Sequence, residues 1–136
     1  MKLHGLFIAL SLLVLSACSP DRQAGAYVKQ LRSGEPVSGQ EYAEMVDFYC
    51  EALDDILDEL EPYHRKLSDA IDSGNTELTE RHAETLQRVQ CDLINKNRNV
   101  TELGSELAMR MSLMPDSTRL RLFRHIADIS TRYSNF

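Results

Sequence analysis

The chain has 136 residues, with 15 Lys and Arg against 21 Asp and Glu, a formal net charge of −6. That length suits one small domain, large enough to fold alone. Its acidity leaves no electrostatic reason to hold nucleic acid, whose binding rests on Lys and Arg neutralising phosphates. The sequence carries no G-x-S-x-G elbow, H-E-x-x-H pair or glycine-rich phosphate loop, so no enzymatic activity is expected.

Met1 and Lys2 open the chain, and a run from Leu6 to Leu15, apolar except for Ser11, leads into Leu15-Ser16-Ala17-Cys18. A short basic start, an apolar stretch of about ten residues and small residues at a break have the shape of a secretory signal. The run is too short to span a bilayer, which needs about 20 apolar residues. Leu-Ser-Ala-Cys closely resembles the lipobox of bacterial lipoproteins. The resemblance covers residues 1–18 only. It implies removal of residues 1–17, lipidation of Cys18 as the new first residue, and no cofactor beyond that covalent lipid. In that family a serine rather than an aspartate after the cysteine goes with export to the outer membrane. Ser19 therefore implies a lipid anchor there, with the protein facing the periplasm.

Residues 19–37 mix Ser, Pro, Asp, Gly and Gln, with Tyr27, Val28 and Leu31 offering only a weak helical turn. With Cys18 they read as a flexible tether, residues 18–37, before a helical periplasmic domain over 38–136. Ser38 and Glu41 form a capping box that starts the first strong helix. In it Val46, Leu53, Leu60 and Leu67 recur every seven residues beside Cys50, Leu57, His64 and Ile71, an apolar stripe that buries one side against another helix. The stripe keeps its phase through Pro62, which predicts a kink there, with two abutting helices as the alternative. Asp72-Ser73-Gly74-Asn75 reads as a stop and turn.

In the second helix Leu86, Leu93, Val100, Leu107 and Met114 repeat every seven, which predicts a long element running through the polar patch Asn95–Asn99 to about Leu113. Met114-Pro115 breaks it. Asp116 or Ser117 can cap a C-terminal helix whose packing side is expected to be Leu120, Phe123, Ile126, Ala127 and Tyr133. No stretch alternates like a strand. The expected fold is all-α: a long antiparallel helical hairpin, kinked near Pro62, with a packed C-terminal helix, in a three- to four-helix bundle.

With Cys18 assigned to lipid, Cys50 and Cys91 remain, and an oxidising periplasm would pair them as a disulfide. The hairpin speaks against this: their midpoint falls near residue 70, whereas the turn centres on Gly74, so Cys91 sits opposite residue 57 and about 10 Å from Cys50 along the helix. Compartment and the core-facing position of Cys50 favour the bridge nonetheless.

Nine acids and no Lys or Arg lie between Ser38 and Pro62. Asp47, Glu51, Asp54, Asp55, Asp58 and Glu59 are read first as a solvated helix face, and second as a surface for a basic partner. Arginines of the C-terminal segment offer an internal alternative. His64 and His82 are about equally far from the turn and could face each other to bind a metal, although no third ligand is in view. The function expected from these features is a membrane-anchored, non-enzymatic periplasmic lipoprotein that binds an envelope or secreted protein, as a pilot or assembly factor does, or as an immunity protein or inhibitor does. The alternative is a small metal- or ligand-binding protein using His64 and His82.

Overall fold

The computed structural model describes residues 19–133. The expected signal segment, residues 1–17, and the expected lipidation position Cys18 lie outside them. Five α-helices and one 3-10 turn make up the described residues: α1 Pro20–Arg32, α2 Gly39–Ser73, α3 Thr76–Lys96, α4 Arg98–Met109, the 3-10 turn Met111–Leu113, and α5 Asp116–Tyr133.

α1 replaces the expected tether. The Ser19 hydroxyl accepts a hydrogen bond from the Arg22 amide, Pro20 takes the first helical position, and Asp21 favours the positive helix end. Its inward residues Ala24, Val28 and Leu31 are spaced i, i+4, i+7 and fully buried. Three small or medium apolar side chains carry little periodic signal, yet α4 gives them a face to pack on.

α2 starts at the expected capping box, with Glu41 N donating to Ser38 Oγ at 3.1 Å and Ser38 N to Glu41 Oε1 at 3.3 Å. It runs 35 residues without interruption. Pro62 and Asp58 are both exposed, so the carbonyl that Pro62 deprives of a donor is accessible to water and the helix continues. Gly74, at φ 71°, closes it in the left-handed conformation. Asn75 then caps α3.

The second helix divides at Asn97, whose backbone leaves helical geometry (φ −114°, ψ 37°) and whose side-chain amide donates to the Leu93 carbonyl at 2.9 Å. Asn97 still donates its backbone amide to the Leu93 carbonyl and accepts from the Thr101 amide, so the phase survives: Leu86, Leu93, Val100, Leu107 and Met114 are all buried.

α3 runs antiparallel to α2, and α4 continues back along the first half of α2. α1 lies parallel to α4, its start beside Asn99 and its end beside Glu106. α5 turns at Pro115 and lies parallel to α2, from the Asp47–Arg121 ion pair to the Tyr133 hydroxyl, which donates to the Leu57 carbonyl at 3.5 Å. The main core gathers α1, the first half of α2, α4 and Leu122 of α5. A smaller core of Leu60, Leu86 and Leu93 holds the upper α2–α3 hairpin.

Two expectations are corrected. Cys50 and Cys91 are free thiols. Cys50 is 2% exposed in the main core, whereas Cys91 is exposed on α3, and a hairpin turning at Gly74 leaves it at the level of residue 57, short of Cys50. α5 also faces the other way: Thr118 and Leu122 are buried, while Leu120, Phe123 and Ile126 stay 49%, 63% and 45% exposed. In this orientation Arg121 and His125 of α5 meet Asp47 and Asp54 of α2.

Candidate functional site

Where α3 hands over to α4, an open apolar trough of about 440 Å³ runs along the bundle. Tyr49, Leu53 and Ile56 of α2 form its floor, Leu93 and Ile94 its upper end, and Thr101, Gly104, Ser105 and Ala108 of α4 one wall. Those four lie at i, i+3, i+4, i+7, one face of a helix. Gly104 makes room for the Tyr49 ring, since a Cβ there would meet Tyr49 Oη at 2.5 Å. Burial in this contact pushes the Tyr49 hydroxyl pKa up. Ile94 at the rim is 59% exposed.

The opposite face of α4 is closed by α1. Asp21 accepts from the amides of Asn99 and Val100 at 2.9 and 3.3 Å, and from the Asn99 side chain at 3.2 Å. Asn97 makes no side-chain cap of its own, so a carboxylate from α1 caps α4 across the fold. At the other end Arg32 Nε donates to Glu106 Oε1 at 2.9 Å, Arg110 also pairs with Glu106, and Arg110 Nη2 donates to the Leu31 carbonyl at 3.0 Å. Glu106 is 6% exposed. The Arg32 hydrogen bond holds its carboxyl below the usual range, outweighing desolvation, and Arg110 adds to the effect.

Of the six acids singled out on α2, Asp47 and Asp54 are used inside the fold. Arg121 Nη1 lies 2.7 Å from Asp47 Oδ1, and the buried His125 Nε2 lies 2.9 Å from Asp54 Oδ1. That second contact lacks hydrogen-bond alignment. Beneath the two bridges, burial pushes the Cys50 thiol pKa up against the pull of Arg121, which keeps it an unreactive core residue. Glu51, Asp55, Asp58 and Glu59 are exposed, and among the described residues no ion pair engages them.

Comparisons with protein-family models, with curated proteins and with solved structures found no match. The trough and the charged faces are therefore read from their own chemistry. His64 is half-buried with its ring 5.4 Å from that of Tyr133, so it packs toward α5, and His82 is half-buried on α3. Among the described residues no group of three or more His, Cys, Asp or Glu side chains could hold a metal ion. No described helix is long and apolar enough to cross a membrane.

Sequence reasoning missed the trough and the Asp21 cap. The small residues at 101, 104, 105 and 108 were a visible signal, since a helix face of Thr, Gly, Ser and Ala lets another backbone come close.

Proposed function

We propose that this chain is a lipid-anchored, non-enzymatic docking protein of the outer membrane, facing the periplasm, whose trough receives a helix of an envelope protein. The supporting observation is the trough itself: an apolar floor, a wall of small side chains and an exposed isoleucine at the rim match how an amphipathic helix is held in a groove. This favours a pilot- or assembly-factor-like role over an immunity-like one, because two of the acids an immunity protein would present are bound internally. The anchor adds to the reading. α1 is capped by Ser19, so a lipid on Cys18 would join the folded body with no tether between them, and the trough would be held at a fixed place relative to the membrane.

Ala108→Phe tests the docking. The substitution adds a ring to the trough wall at an exposed position. The full chain isolated from its membrane is expected to bring a stoichiometric protein partner, and the variant to lose it while keeping its unfolding temperature. Recovery without a partner, or a partner retained by the variant, would overturn the proposal. The intact mass of the isolated chain tests the anchor: it is expected to begin at Cys18 and to carry the added mass of lipid.

A further inference from the structure

Burial of Thr118 and Leu122 leaves Phe123 and Ile126 of α5 exposed, and the contacts of α5 fix where they stand. The Tyr133 hydroxyl donates to the Leu57 carbonyl, and its ring lies against that of His64. At about 100° per residue, Leu57 and His64 share one flank of α2 with Leu53 of the trough floor, all within about 40°. Ile126 precedes Tyr133 by about two turns and lies within about 20° of it on α5, so it faces the same flank. The Asp47–Arg121 and Asp54–His125 contacts set its level, which is that of Leu53. Phe123 lies about 60° further round, toward solvent. Both side chains stand outside the trough's own lining and form a bank along its open side.

α2 therefore carries α4 and α5 on two of its sides. Tyr49, which meets Gly104 of α4, and the mean direction of Asp47, Asp54, Leu57 and His64, which meet α5, lie about 110° apart around α2. With each axis about 8–10 Å from that of α2, α4 and α5 are ~15 Å apart across the opening. A further helix, about 10 Å across, fits there at ordinary packing distance from both. Three neighbouring corners of a four-helix bundle are arranged in this way, and the open trough is the fourth. Leu53 points into it from between its two neighbours. This rests on the reading that the trough receives a helix. We infer that the occupant is a single partner helix that completes a four-helix bundle with α2, α4 and α5, held between the small-residue wall of α4 and the Phe123–Ile126 bank.

Charge defines the occupant further. No residue lining the trough is charged, which suits an apolar helix face. At its upper rim Arg98 opens α4, exposed and about 20° round from Ser105. Among the described residues no ion pair engages it. A helix start favours an anion, yet α4 has a cation and no acid in its first turn. The fitting partner is an amphipathic helix with a carboxylate on its flank beside Arg98.

Photo-crosslinking from the full chain in the intact envelope, with the adducts mapped to partner peptides, provides the test. Thr101, one turn before Gly104, stands at nearly the level of Ile126 on the other side of the opening. Photoreactive side chains at Thr101 and Ile126 are expected to label one segment of one protein at positions within about four residues of each other, close to an Asp or Glu. Leu120, about 120° round α5 from Ile126, is expected to give no adduct. Arg98→Glu should lower both adducts about threefold. All four positions are exposed, so the fold is kept. An adduct from Thr101 without one from Ile126, or labels in separate segments, would overturn the bundle completion and leave the docking role standing. No adduct from either position would overturn both. An equal adduct from Leu120, or adducts indifferent to Arg98→Glu, would also overturn the inference.

Discussion

Asp21→Ala should loosen a helix that begins 77 residues further along the chain, because Asp21 caps α4 from across the fold. The carboxylate accepts from two backbone amides and one side-chain amide at the start of α4, where Asn97 makes no side-chain cap. Losing a cap costs about 1 kcal/mol, and a charged acceptor serving two helix-end donors raises this to ~2 kcal/mol. For a body of this size that lowers the unfolding temperature by roughly 8–10 °C. Asp21→Asn keeps an acceptor but loses the charge, and should cost about half as much. Denaturant unfolding gives the total, and amide hydrogen exchange localises it: Asn99 and Val100 should lose protection while the α2–α3 hairpin around Leu60 and Leu86 keeps it. A loss below about 0.5 kcal/mol, or unchanged exchange at Asn99 and Val100, would refute the cross-fold cap.

The Glu106 clamp has a defined pH dependence. Its folded carboxyl titrates below the ordinary value, so its contribution is fully present above the unfolded pKa of about 4.3 and is lost as pH falls toward the folded value. Glu106→Gln should cost ~2 kcal/mol at neutral pH and flatten the fall in stability on acidification; a variant with the parent's acid slope would show that the clamp is not the source. Thiol titration checks the cysteines of the chain from Ser19: Cys91 should react at once, Cys50 only on unfolding, and two thiols should be found without reductant. Finding none in the unfolded, unreduced protein would restore the bridge.

The parts of the fold visible in the sequence are those carried by large apolar side chains in phase. The heptad from Leu86 to Met114 identified the buried side of the second arm, and the Ser38 box and Gly74 turn marked the ends of α2. α1 was hidden because it buries only Ala24, Val28 and Leu31, and its worth lies in ion pairs and a cap formed with residues about 75 positions away. The break at Asn97 left the apolar phase intact, so periodicity passed over it. α5 was placed with the wrong face inward because area favoured Leu120, Phe123 and Ile126. Leu122 faces inward instead, with Arg121 and His125 beside it meeting Asp47 and Asp54 of α2, contacts that apolar periodicity does not register. The trough depends on that same break and on small residues that hydrophobic patterning ignores.

Site-specific photo-crosslinking in the intact envelope tests the docking role most directly. A photoreactive side chain at Ala108 in the trough wall is compared with one at Glu84, exposed on α3 away from it. The expected result is one discrete protein adduct from Ala108, absent from Glu84 and abolished by Ser105→Leu. No adduct from Ala108, or the same adduct from both positions, would contradict a role for the trough in holding a partner.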